Sequence, residues 1–323
     1  MKTEEKPACP FCSQADASLI YRDVLAAGRK YNVYRCAQCG LGMTSPHPDP
    51  QELARLYATG SYRQNDSRFL APLEYAIRRF RTRRLNTVER FSRSTGQRAM
   101  LDVGCARGIM LSEAGQRGWN VHGLEFDDNT ASHARDTLGM DVRTGPIEAA
   151  GFNAGMFDAV TFWHVLEHLP APARALDESS RILKQGGLLV VSVPNFDSIQ
   201  SALGRQAWFH LDLPYHLYHF SRASIVKALD QSGFRLVHED NYSLEFNPFG
   251  FLQSILNRAG FRHNLLYDLL KKKGLGSDWT SAPAQTIATG ALLPILGPAS
   301  FVLATLESLA GRGGTVDYFA IKE

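Results

Sequence analysis

From Ala99 to Asn195 the chain alternates continuously apolar runs with helical segments, and this alternation constrains the fold more than any other feature. The runs are AMLDV, ending near Asp102; WNVHGLEFD, ending near Glu125; a third from Met140 to Arg143; FDAVTFW; and GGLLVVSVPN. Strands apolar on both sides, joined through helices, belong to a parallel sheet covered on both faces. The expected fold class is α/β, a doubly wound Rossmann-like sheet. A composition of 44% hydrophobic and 21% charged residues in 323 supports a real core and excludes a disordered, collagen-like or disulfide-dense chain. The net charge of +3 is too mild to mark a nucleic-acid binder by itself. The opening MKTEEKPACPFC has no apolar run, so no secretory leader and a cytoplasmic location are expected.

Cys9-Pro-Phe-Cys12 and Cys36-Ala-Gln-Cys39 form a CxxC…CxxC pattern, which offers four thiolates to one tetrahedral ion. Zinc in a ribbon is the expected occupant, with a structural role, because four cysteines leave no open coordination position. A module of this size needs such a staple to fold. The expected domains are a zinc ribbon over 1–45, a linker and Arg-rich helical region over 46–98, the main domain over 99–245 and 313–323, and an apolar helical insertion over 246–312.

Within the second of these, helices are expected over Gln51–Tyr57 and from Pro72 to about Arg93. The latter carries Arg78, Arg79, Arg81, Arg83, Arg84, Arg90 and Arg93 against Glu74 and Glu89. It reads either as a solvated face or as a contact for an anionic group. Tyr75, Phe80, Leu85, Val88 and Phe91 supply a stripe that packs it on the main domain or lets it act as a lid.

Asp102 is followed by a glycine turn (Gly104, Gly108) and a helix from Ile109 to Arg117, a geometry that brings backbone N–H groups close to a ligand. Glu125, about 20 residues on, stands where a carboxylate can take both ribose hydroxyls. With LDVGCARG, GLEFD, FDAVTFWHVLEHL and RILKQGGLLVVSVPN, the chain resembles a class I S-adenosylmethionine-dependent methyltransferase over about 70–240 and the last strand. That resemblance implies S-adenosylmethionine as cofactor. It sets Asp102, Gly104 and Gly108 against the methionine moiety, Glu125 at the ribose, Ile147 and Glu148 beside adenine, and Cys105, Phe126 and His164 among the cofactor contacts. Ala106 replaces the middle glycine of GxGxG. The resemblance also implies seven strands closed by a reversed hairpin of GFRLVHEDNYS and TVDYFAIK. Arg181–Gly187 reads as a helix ending on glycine before the fifth strand.

Methyl transfer to a protonated nucleophile calls for a general base, and histidine suits it. His164 and His168 follow the fourth strand, and His216 and His219 lie in LPYHLYHFS at the same edge. The resemblance puts His216 first as base or acceptor ligand, with His164, His219 and Tyr215 in reserve. Some relatives bind a divalent ion through ExxEH; here the equivalent set is His164, Glu167 and His168.

Between the last two strands, Lys271, Lys272 and Lys273 precede a stretch from Trp279 to Leu306 without charge, interrupted by Pro283, Pro294 and Pro298. A single crossing would part the last strand from its own sheet, which leaves a monotopic or re-entrant membrane contact, or a buried lid or dimer contact. The expected function is O-methylation of a lipid-linked, glycan-precursor or other hydrophobic acceptor at the inner face of the cell membrane. An RNA methyltransferase gripping its substrate through ribbon and Arg-rich helix is the alternative.

Overall fold

The structure, a computed structural model, describes residues 6–13, 16–49, 51–52, 71–92, 96–270 and 282–323; the side chains of 71–78, 80 and 81 lie outside the description. Most of the helix expected over Gln51–Tyr57, together with Arg93, Lys271, Lys272, Lys273 and Trp279, falls outside the described residues, as do the side chains of Glu74, Tyr75, Arg78, Phe80 and Arg81.

In chain order, β1 (Ala17–Ala26), β2 (Arg29–Cys36) and β3 (Gly42–Ser45) precede α1 (Ala71–Phe91), β4 (Arg98–Val103), α2 (Ile109–Gln116), β5 (Trp119–Glu125), α3 (Asp128–Ser132) and β6 (Asp141–Thr144). Then come β7 (Phe157–Trp163), α4 (Pro172–Ile182), β8 (Leu183–Pro194), α5 (Ile199–Gly204), β9 (Tyr218–His219), α6 (Arg222–Gln231) and β10 (Phe234–Asp240). The chain finishes with α7 (Asn247–Arg258), α8 (Leu265–Leu270), α9 (Pro283–Leu309) and β11 (Thr315–Lys322).

Seven strands form one sheet in the order β10-β11-β8-β7-β4-β5-β6. β11 runs antiparallel to both neighbours and the other pairs are parallel, so the expected reversed hairpin closes the sheet. Alternation along each strand divides the core in two. Met100, Ala159, Leu188, Val190 and Phe319 pack under α1 and α2, where Leu85 and Val88 are fully buried. Leu101, Val160, Leu189, Val191 and Tyr318 pack on the other side with α4 and α6. The stripe of α1 thus holds the helix on the sheet. Its arginines divide: Arg79, Arg83 and Arg90 are exposed, whereas Arg84 is turned inward.

One expectation at β8 is corrected. The helix stops at Ile182, and Lys184–Gly187 belong to the strand. The register with β7 jumps from Phe157↔Leu183 to Ala159↔Leu188, so Gly186, at φ +72°, serves an irregularity in the strand rather than a helix end.

The amino-terminal strands form a second sheet, ordered β1-β2-β3-β9, whose last member comes from the main domain. Cys9, Phe11, Cys36, Cys39, Leu41 and Met43 share one core cluster with Leu101 and Val160. The cysteine module is therefore packed into the main core.

Candidate active site

At the carboxyl edge of β4 the chain turns through three left-handed residues, Gly104 (φ +73°), Ala106 (φ +50°) and Gly108 (φ +74°). Gly104 has two reasons to be glycine: its φ, and the Val165 methyl that would lie 2.3 Å from a Cβ. Ala106 carries its methyl group in the left-handed region and bears the conformational cost. Gly108 caps α2 and has no side chain to cover the N–H groups of the first turn.

Asp102 is in register with Gly123 of β5 and Thr161 of β7. Glu125 lies two residues beyond Gly123, so both carboxylates project from one face at one edge. Asp102 is buried and accepts the Thr161 hydroxyl at 2.7 Å, bracing the turn from below. Glu125 accepts N–H from Ala106 (2.9 Å), Phe126 (2.8 Å) and Asp127 (3.2 Å). It thereby joins the glycine turn to the end of β5, and a carboxylate has about four acceptor positions, so this leaves capacity for a hydroxyl ligand. Cys105 lies close to both acids; burial, then their charges, push its thiol up and keep it protonated. Phe126 is 63% exposed at this edge, available to a flat ring, and Glu148 is exposed. Ile147 instead points into the main core.

The second half of the edge is a group of buried histidines. His164, the residue after β7, has φ +56°, a conformation uncommon outside glycine that clusters at functional sites. Its Nδ1 is 3.3 Å from Glu167 Oε1, its ring centroid is 4.1 Å from that of Phe246, and its Nε2 is buried without a hydrogen-bond partner. His168 donates Nδ1–H to the Tyr215 carbonyl at 2.9 Å, and His216 donates Nδ1–H to the His210 carbonyl at 2.8 Å. Both neutral rings therefore carry their lone pair on Nε2, and that of His216 lies 3.9 Å from Asp212 Oδ2. Burial holds all these rings neutral: His164 and His219 are pushed down to about 3, His168 to about 4, and His216 and His210 below their usual range. Burial pushes Glu167 up.

Among the described residues, Glu167, His168 and His216 bring ligand atoms within 4.8 Å of one another. His216, far along the chain, takes the place that the sequence reading gave to His164 in a divalent-ion set. Tyr215 contributes its carbonyl to His168, and burial raises its phenol.

The four cysteine sulfurs also lie within 4.8 Å of one another, three of the residues being buried. Cys39 and Cys9 sulfurs are 3.6 Å apart; the thiol donated by Cys39 lowers Cys9 to about 5. Four soft ligands so close suit a tetrahedral ion.

Several residues at the site were not singled out by sequence reasoning. Arg84 sits over Trp163 (4.6 Å) and Phe246 (5.5 Å), between Glu245 (3.6 Å) and Asp317 (4.0 Å). His210 is buried with an unpartnered Nε2. Arg84 was visible only as one member of an arginine run, and His210 only as a histidine six residues before His216.

A methyltransferase domain family matches residues 71–239, just over half the chain. The chain is 27% identical over 220 residues to the ubiquinone biosynthesis O-methyltransferase of Acinetobacter baylyi, covering 64% of this chain and 90% of that protein. It is 28% identical over 149 residues to a probable S-adenosylmethionine-dependent methyltransferase of Mycolicibacterium smegmatis, covering 46% of this chain and 56% of that protein. The crystal structure of the cyclase SpnF superposes with a TM-score of 0.52 at 18% identity, over 86% of this chain and 98% of that one, a likeness of fold alone.

Proposed function

The chain belongs to the class I S-adenosylmethionine-dependent methyltransferases, and on that premise we propose that it methylates an oxygen of a hydrophobic, lipid-linked or glycan-precursor acceptor at the cytoplasmic face of a membrane. The observation that carries the acceptor class is the polarity of α9, which is inside out. Its buried residues are Thr286, Thr289, Ser300, Ala304 and Glu307, while Ile287, Leu293, Ile295, Phe301, Val302, Leu303, Leu306 and Leu309 are exposed. At 100° per residue the fully buried set occupies an arc of roughly 60°, which Leu292 and Leu296, packed on α7 and α8, widen to roughly 120°, and exposed apolar side chains occupy most of the remainder. A helix of a water-soluble surface has the reverse arrangement, and a single partner helix needs only one stripe. Surrounding lipid suits this distribution.

β11 follows α9 directly and lies in the same sheet as β8, which supports a helix resting on a bilayer surface over one that crosses it. Its carboxyl-terminal end is fixed beside the histidines. Glu307 accepts the Gln200 backbone N–H (2.8 Å) and Nε2–H (3.0 Å), and the Gln200 and His210 side chains converge on Gly250. An acceptor head group entering from the membrane then meets the histidine cluster.

When bound, S-adenosylmethionine supplies an electrophilic methyl group on its sulfonium. In this proposal Glu125 and Phe126 hold the ribose side, Asp102, Gly104, Cys105 and Gly108 shape the methionine side, and the exposed Glu148 bounds the adenine side, Ile147 being turned into the core. His216 takes the acceptor proton at Nε2, with Nδ1–H held by the His210 carbonyl; His164, His219 and Tyr215 line the same side. Zinc on Cys9, Cys12, Cys36 and Cys39 has a structural role. The RNA alternative rests on the exposed Arg79, Arg83 and Arg90, and no further observation favours it.

The test incubates the full chain with methyl-tritiated S-adenosylmethionine and inverted membrane vesicles from a strain lacking the gene. Label should enter the organic extract. Label confined to RNA or to water-soluble products would overturn the acceptor class. His216→Ala should reduce incorporation while cofactor affinity, by calorimetry, stays within about twofold; unchanged turnover removes His216 from the mechanism.

A further inference from the structure

We infer that the four-cysteine module is a positioning element for the acceptor side of the site, acting through Thr44 on His216 and His219. Thr44 lies in β3, five residues beyond Cys39, and is fully buried. Its hydroxyl donates to the His216 carbonyl at 2.7 Å. With its only proton used there, the same oxygen can only accept from His219 Nε2, 3.1 Å away. One hydroxyl thus anchors the backbone of His216 and fixes His219 as the Nε2–H tautomer, with its lone pair on Nδ1.

The rest of the junction keeps that hydroxyl in register. The Thr44 N–H donates to the Leu217 carbonyl at 3.0 Å, and β3 pairs with β9 through Gly42↔His219 and Met43↔Tyr218. On its other side the same segment returns to the main domain, where the Leu217 N–H donates to the Glu167 carbonyl at 2.9 Å. The Ser221 hydroxyl donates to the Cys39 carbonyl at 3.2 Å. Gly42 has no space for a side chain, because a Cβ would lie 2.7 Å from His219 Cβ and 2.9 Å from the Phe196 ring. The histidine segment is therefore clamped between the module and the end of β7. By contrast, the Thr161 hydroxyl donates to Asp102 and the Ala106 N–H to Glu125, both within the main domain. The module consequently sets the acceptor side through hydrogen bonds of its own.

This inference rests on the acceptor-side role proposed for His216, and the test separates the two. The full chain, labelled with 15N-histidine, is compared with Thr44→Val and Thr44→Ser by long-range 1H–15N correlation, zinc content, cofactor calorimetry and the vesicle methylation assay. Thr44→Val should keep one zinc per chain and cofactor affinity within about twofold, lose the pure Nε2–H signature of His219, and reduce methylation about tenfold or more. Thr44→Ser should restore both signature and rate. An unchanged His219 signature, or loss of zinc along with it, overturns the inference alone. A changed signature with undiminished methylation overturns the inference together with the role of His216. Where the valine variant does not fold, zinc is released from the unaltered chain by a chelator. The His216 and His219 resonances should then move while that of His122, which contacts Asp141 at the β5–β6 edge of the sheet, stays in place; no movement overturns the inference.

Discussion

Changing Phe301, Val302 and Leu303 together to serine should remove most of the affinity of α9 for a bilayer while leaving the fold intact. The three side chains are 49%, 59% and 37% exposed. Full transfer of such a side chain out of water is worth about 1.5–3 kcal/mol. With about half of each side chain outside the protein, each contributes roughly 1 kcal/mol to membrane partition, or about 3 kcal/mol together. That corresponds to about a hundredfold in the partition constant. The neighbours that hold α9 to the protein, Ser300, Ala304 and Glu307, are untouched, and serine has nearly the helix propensity of phenylalanine and valine. The assay is co-sedimentation with vesicles of mixed zwitterionic and anionic lipid over a range of lipid concentrations, beside a thermal melt. Wild type should bind and the variant should bind about a hundredfold more weakly with a nearly unchanged melting temperature. Wild type that ignores vesicles, or a variant that binds equally, refutes the reasoning. A large fall in melting temperature also refutes it, because it would mean that this face is packed against protein.

Gly104→Ala should weaken cofactor binding at least about tenfold in calorimetry and destabilise the chain by about 1–2 kcal/mol, since φ is +73° and Val165 occupies the Cβ position. Ala106→Gly should act in the opposite direction, raising stability in a denaturant titration by up to about 1 kcal/mol, because it relieves a left-handed alanine at φ +50°. His219→Gln should flatten the acid limb of stability. Burial holds His219 down to about 3, so below the ordinary histidine value the unfolded chain binds a proton that the folded chain refuses, and stability falls as pH falls. Removing this group should reduce the slope by about 1.4 kcal/mol per pH unit between about pH 6 and pH 4, measured by urea unfolding at several pH values. An unchanged slope would show that His219 titrates normally in the folded chain.

The strands of the large sheet were legible because each is a continuous apolar run, and burial on both faces requires that. The glycine turn was legible because left-handed backbone restricts residue choice so strongly. The helix end expected near Gly186 was misplaced for a related reason: positive φ is demanded by bulges as well as by helix ends, and the sequence does not say which. The uncharged run up to Leu306 announced α9, yet which side of it faced the protein depended on Gln200 and Asn241, which hold Glu307 and Ser308 from distant segments. The histidines were found by type, but their grouping was not. Glu167, His168 and His216 meet because β9 is drawn across by β3, and strand pairing over such a distance in sequence leaves no local periodicity. Arg84 was hidden among arginines of identical chemistry, and only the position of Trp163 distinguishes it.

β11 lies between β8 and β10, antiparallel to both, and among the described strands it leaves the ribosome last. Until it arrives, those two neighbours have no bonded partner on their facing edges, and the apolar helix that precedes it has already been synthesised. The order of synthesis therefore exposes a long apolar helix before the slot that locks the sheet is filled. Premature termination before Thr315 leaves two open edges and an unanchored apolar helix, a combination prone to aggregation, so cells producing such fragments should depend strongly on chaperones and proteases.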